Sequence, residues 1–131
     1  MKKNWSIKIL NSFKKLSELD NDLKHIINKY KLPDSRKENN DFETLMRIII
    51  GQQISRKAAE SIYQKLKIKK ITTYKNFLKT DNDYLKNVGL SFRKIIYIKD
   101  LAKNIDENKI NLNDFECSSS ENVYNSLIKI F

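Results

Sequence analysis

Apolar residues recur along this chain at the spacing of helices, and no stretch reads convincingly as a strand. Trp5, Ile9, Phe13 and Leu16 share one face of a first helix, and Asp20 or Asn21 restarts the chain into a second, with Leu23, Ile26, Ile27 and Tyr30. Pro33 ends that helix, because proline disfavours helical backbone at the residue before it. Residues 33–40 (PDSRKENN) are polar and make the best linker in the chain, dividing N-terminal helices and linker (1–40) from a larger helical region (41–131).

The larger region opens with the most informative stretch, DFETLMRIIIGQQISRKAAESIYQKL. Asp41 predicts an N-cap, and Glu43 in the first turn complements the helix dipole. Phe42, Leu45, Met46, Ile48 and Ile49 cover one broad face. Gly51 predicts the stop, since glycine enters the left-handed region without steric cost. Ser55 then caps a second helix with Ala58, Ala59, Ile62, Tyr63 and Leu66 inward. Between two buried helices, Gln52 and Gln53 are pushed to the outside of a tight corner. Two readings of that corner are open: an ordinary turn with two solvated glutamines, or a rigid polar corner able to enter something.

Further on, the lysine-rich KIKK (67–70) predicts a loop, since Ile68 and Ile71 alone offer a strand no partner. Thr72 or Thr73 caps a short helix with Tyr74, Phe77 and Leu78. Thr80 or Asp81 caps another with Tyr84, Leu85 and Val88, stopped at Gly89. Ser91 caps a long helix whose inner face is Ile95, Ile98, Leu101, Ala102 and Ile105. A polar connection pinned by Ile110, Leu112 and Phe115 leads to Ser118-Ser119-Ser120-Glu121, a capping box for a last helix with Val123, Leu127 and Ile130. The pattern predicts eight helical segments in an all-α, multi-helix orthogonal bundle.

Composition narrows the functions available. With 131 residues, 40% of them hydrophobic and 32% charged, the chain is long enough for a packed core. It has no apolar run long enough to span a bilayer, and its Met-Lys-Lys-Asn-Trp start lacks the apolar core of a signal peptide, so a cytoplasmic protein without a membrane partner is expected. The lone Cys117 excludes an internal disulfide, and with His25 the only histidine no metal cluster or Ser-His-Asp triad can be assembled from this chain. A net charge of +10 points to a polyanion such as nucleic acid. The excess is nearly all lysine, however, and Lys, Asn and Ile are abundant together, a bias that an AT-rich genome imposes on many unrelated proteins.

The stretch F-x-x-L-x-R-x-I-I-x-G-Q-Q-I-S-x-K-A-A resembles the signature of DNA-3-methyladenine glycosylase II, one of the helix-hairpin-helix DNA glycosylases. Leu85 to Lys94 (LKNVGLSFRK) and Tyr97 to Ala102 (YIKDLA) continue the resemblance in the family's order. The similarity covers Asp41 to Phe131, with a weaker match from Trp5. In relatives, a segment like Asn125 to Ile130 runs into a glycine-rich hairpin, G-I-G-x-W-T-A, followed some way on by the catalytic aspartate. Neither occurs in these residues, so the resemblance implies an incomplete glycosylase fold, cut before the hairpin, and assigns a catalytic role to no residue present. The uncapped apolar end, Leu127 to Phe131, predicts the same. A separate C-terminal half is then a possible partner, and Phe13, Leu16 and Ile27 are expected to be partly exposed without it.

What the resemblance implies is base excision repair. The substrate is double-stranded DNA with an alkylated base, which is flipped out of the stack before its N-glycosidic bond is cut. No metal or organic cofactor is implied. The corner carries the wedge that fills the gap, so Gln53 is the candidate, with Gln52, Ile54 and Ser55 beside it. Arg56 and Lys57 after Ser55, and Arg93 and Lys94 after Ser91, are candidate phosphate contacts. An alkylated purine is cationic and attracted to aromatic faces, which makes Tyr63, Tyr84 and Phe92 candidate pocket residues, against the reading that all three are core. Two other functions remain open: a non-catalytic DNA-binding module, and a helical interaction domain.

Overall fold

A computed structural model describes residues 5–35 and 38–130. Expectations that rest on the first four residues, on Arg36 and Lys37 in the linker, or on Phe131 fall outside it. The described residues form eight α-helices and one 3-10 helix, with no strand. The chain divides into two compact units, Met1–Glu38 and Asn39–Phe131.

The first unit is a pair of packed helices, α1 (Ile7–Leu19) and α2 (Asn21–Tyr30). Asp20 both ends α1 and caps α2, its carboxylate accepting from the N–H groups of Asp22 and Leu23. Trp5 lies ahead of α1. Its ring meets Phe13 edge-on at 5.8 Å, and its indole N–H donates to the Pro33 carbonyl at 2.6 Å, tying both ends of the pair together. Neither helix buries a residue fully: Leu16 is exposed, Phe13 and Ile27 are half-buried, and His25 lies on the surface of α2.

In the second unit the order is α3 (Phe42–Gly51), α4 (Arg56–Ile68), α5 (Tyr74–Lys79), α6 (Asn82–Val88), α7 (Phe92–Asp106), the 3-10 helix Leu112–Glu116, and α8 (Ser120–Ile128). Helix α7 is the hub, packing on α3, α5 and α6, while α4 packs on α3 and α6. The core is apolar throughout. Met46, Ile50, Leu66, Phe77, Leu85, Ile98, Leu101 and Ala102 are wholly buried, each larger one stabilising the fold by roughly 1.5–3 kcal/mol. Phe42 seals its edge with edge-on contacts to Tyr74 and Phe77, at 6.4 and 6.2 Å.

Short polar side chains set most helix starts. Asp41, Ser55, Thr73, Asp81 and Ser91 each accept from an N–H in the first turn of α3 to α7 in order. Four expectations need correction. Helix α4 runs through Lys67 and Ile68, because the chain turns only at Lys70, whose left-handed φ of 58° lets Ile71 donate back to the Leu66 carbonyl. Ile71 is thereby buried while Ile68 stays exposed. The cap of α8 is Ser119, which accepts from Asn122, whereas Ser118 donates to the Asp114 carbonyl, so the expected capping box slips by one residue. Ile110, Leu112 and Phe115 do pin the preceding connection, but Leu112 and Phe115 do so from within a 3-10 helix. Finally, Gly51 is the last residue of α3 and is not left-handed.

Three lysines are drawn into helix ends. Lys94 donates to the Ile50 and Gln52 carbonyls beyond α3, Lys99 to the Thr80 carbonyl beyond α5, and Lys65, more loosely, to the Val88 carbonyl of α6. The last carbonyls of a helix lack intrahelical partners and carry its negative dipole end, so a cation there is stabilising. Part of the lysine excess is therefore structural.

Candidate functional site

The α3–α4 corner is built from residues 51–55. Gln52 takes φ −63° and ψ 130°, and Gln53 takes φ 58°. These three angles match a type II turn with Gln52 and Gln53 at its centre. Type II turns favour glycine at the second central position, and here that place holds a glutamine. A non-glycine residue held left-handed costs on the order of 1 kcal/mol or more, and Lys31, Lys70 and Asn108 take the same conformation just after the ends of α2, α4 and α7. Gln52, Gln53, Ile54 and Ser55 are all exposed. Behind them the corner is anchored by buried Ile49 and Ile50 on α3, by Ser55 capping α4, and by Lys94 from α7.

The helix starts around the corner share an electrostatic peculiarity. Helices α2, α3, α6 and α8 place an acid in the first turn, where it meets the positive dipole end. Helices α4 and α7 have no acid there, as is also true of α1 and α5, and carry the basic pairs Arg56-Lys57 and Arg93-Lys94 in that turn. Cations at a helix N-terminus are mildly destabilising, and together with the free N–H groups they make a strong field for an anion. Arg56, Lys57 and Arg93 are exposed, whereas Lys94 is half-buried with its ammonium 2.8 Å from each of the Ile50 and Gln52 carbonyls. The starts of α4 and α7 thus offer three outward cations, and the fourth turns inward.

The aromatic candidates do not converge. Tyr63 is core: its hydroxyl donates to the Glu43 carboxylate, and the Arg47 guanidinium stacks on its ring at 4.7 Å. The Glu43 hydrogen bond, reinforced by burial, pushes the Tyr63 phenol up to about 12. Its ring face is taken by a side chain of the same molecule. Tyr84 and Phe92 correct the core reading. Phe92 is more than half exposed, 5.8 Å from the Lys86 ammonium, and Tyr84 borders a shallow groove with Ile71, Lys79 and Thr80. A wider hollow of about 720 Å³ lies at the N-terminal end of α3, remote from the corner along that helix, and includes none of the three. Sequence reasoning missed the Glu43–Tyr63–Arg47 group and the Lys94 contacts, because both join residues far apart in the chain.

The match that decides the family runs over residues 46–125, taking in the corner, both basic helix starts and α7: it is the HhH-GPD superfamily base excision DNA repair protein model. The chain belongs to the HhH-GPD superfamily. A solved structure, that of a DNA-3-methyladenine glycosidase from Bacillus halodurans, shares the fold with a TM-score of 0.65 at 23% sequence identity. The likeness covers 89% of this HhH-GPD chain and 55% of the glycosidase, so the chain spans about half the length of that protein. No curated protein matches it. The fold is the all-α architecture of the helix-hairpin-helix glycosylases, and no helix among the described residues is long and apolar enough to cross a membrane.

Proposed function

We propose that this HhH-GPD protein recognises damaged bases in duplex DNA, alkylated bases in particular, as a part of a DNA-3-methyladenine glycosylase. The observation that carries this reading is the exposed, left-handed Gln53 at the tip of a clamped corner, beside two helix starts with basic first turns. A rigid corner can hold open the gap a flipped base leaves, and a glutamine there can hydrogen-bond the orphaned base opposite. Arg56, Lys57 and Arg93 take phosphates on either side, which gives salt-sensitive, sequence-independent binding. Exposed Phe92 and Tyr84 are the aromatic faces left for a cationic base, and Tyr63 supports α3 and α4 from within.

The glycine-rich hairpin and the aspartate that the resemblance would supply are not among these residues. The 131-residue chain by itself is therefore expected to bind and unstack DNA without releasing 3-methyladenine above background. Release at enzyme-like rates would contradict that. The recognition step is tested with 2-aminopurine placed opposite an abasic analogue. Its fluorescence should rise on binding the native chain and rise far less with Gln53→Ala; an equal response from both removes the wedge role.

A second reading, a helical interaction module, is favoured by one observation: Ile7, Leu19 and Tyr30 of the first unit are 78%, 86% and 69% exposed. The partner it suggests is a separately supplied C-terminal half. Concentration-dependent association of the chain alone, abolished by Leu19→Glu, would argue for self-association in place of such a partner.

A further inference from the structure

Gln53 sits where a type II turn wants glycine, so something other than local preference must hold the turn in that form. The alternative is close at hand. Rotating the single peptide plane between Gln52 and Gln53 changes ψ of the first residue and φ of the second together. It converts a type II turn into a type I turn, which suits a glutamine at both central positions. The rotation swings the Gln52 carbonyl to the other side of the turn.

That carbonyl is one of the two that Lys94 holds. The ammonium lies 2.8 Å from the Gln52 carbonyl and 2.8 Å from the Ile50 carbonyl, forming one bridge between the peptide plane that would rotate and the last turn of α3. Lys94 comes from the third position of α7, 42 residues beyond Gln52 and packed against α3, so the bridge is anchored in the core. A charge-assisted hydrogen bond to each carbonyl also offsets the negative end of the α3 dipole. Rotation of the plane would break one of these bonds and leave the ammonium half-buried with a single partner.

We propose that Lys94 is the positioning residue of the corner: by holding the Gln52 carbonyl it locks Gln53 in the left-handed conformation that presents its side chain outward. This rests on the recognition role proposed above and changes the part that Lys94 plays in it. Lys94 acts through Gln53 and not through a phosphate, and the phosphate contacts at the two helix starts fall to Arg56, Lys57 and Arg93.

The test is a pair of double comparisons on the full chain. Lys94→Met is made with Gln53 present and with Gln53→Gly, since glycine adopts the type II position without a clamp. With Gln53 present the substitution should lower Tm by about 5 °C. With glycine at that place the loss should be larger, by up to the strain of a left-handed glutamine, because the Gln53 chain without its clamp relaxes to the type I turn and recovers that strain, whereas the glycine chain has none to recover. Equal losses in the two backgrounds would overturn the proposal.

Binding to an abasic-analogue duplex and to an intact duplex is then compared. Lys94→Met should reduce the preference for the abasic duplex by about fivefold. The salt dependence of binding to intact DNA should not change. A phosphate contact would behave in the opposite way, weakening both duplexes alike and lowering the salt slope by about one; that result would also overturn the proposal. If the native chain shows no preference for the abasic duplex, it is the recognition role that fails, and the thermal comparison still decides what Lys94 does to the turn.

Discussion

Two short connections in the second unit look alike on paper. Gly51-Gln52-Gln53-Ile54-Ser55 joins α3 to α4, and Gly89-Leu90-Ser91 joins α6 to α7; each begins with glycine and ends with a serine N-cap. In the second, glycine takes the left-handed place itself, with φ 116°, and a Cβ there would stand 3.2 Å from Ile62. The residue that follows, Leu90, is buried. In the first, glycine stays helical, a Cβ on it would meet nothing within 4 Å, the left-handed place goes to Gln53, and the following Ile54 is exposed. One turn is shaped for packing. The other carries a left-handed polar residue outward and is held from behind by Lys94.

The difference can be broken most severely at Gly89. Gly89→Ala combines a forbidden φ with a close approach to Ile62, and should destabilise the chain by about 2 kcal/mol or more, read by thermal or urea unfolding. A loss under half of that would mean that the two turns are not as different as they look.

Next comes the far end of the α3–α4 pair, where Tyr63 meets Glu43. The Tyr63 phenol is raised from 10.0 to about 12, so the folded state holds its proton where the unfolded state releases it. That contribution is complete below pH 10 and is lost as pH rises from about 10 to about 12, a fall on the order of 2 kcal/mol. Tyr63→Phe should flatten this alkaline limb. An unchanged limb would show that the Glu43 hydrogen bond does not hold the phenol in solution.

Smaller effects sharpen the contrast. Gln53→Gly should relieve the strain and raise stability by up to about 1 kcal/mol, the reverse of what a substitution at Gly89 does. Gly51→Ala should be neutral or stabilising by roughly 0.5–1 kcal/mol, since it replaces glycine by alanine within a helix into open space. A clear loss of stability at Gly51 would restore it as the residue on which the corner depends.

The two turns also show what the sequence could and could not reveal. N-caps were legible because the chemistry is local: Asp41, Ser55 and Ser91 bond to N–H groups three residues away. Where three serines stand in a row the same rule slipped by one, from Ser119 to Ser118. Gly89 was legible because it occupies the left-handed place, and Gly51 was misread because a glycine next to a turn does not say which residue turns. Spacing placed Tyr63, Tyr84 and Phe92 on helices, but only packing shows which of them is covered. The Lys94 bridge and the Tyr63–Glu43 bond join residues 42 and 20 apart, and no local pattern foretells them.

The most direct test of the account is the ratio of affinities for an abasic-analogue duplex and an intact duplex, measured for the native chain and for Gln53→Gly. The native chain should prefer the abasic duplex, and the glycine variant, though at least as stable, should lose that preference while binding intact DNA as before. Equal preference in the two proteins would contradict it, because the corner would then be an ordinary turn whose glutamine does nothing to DNA.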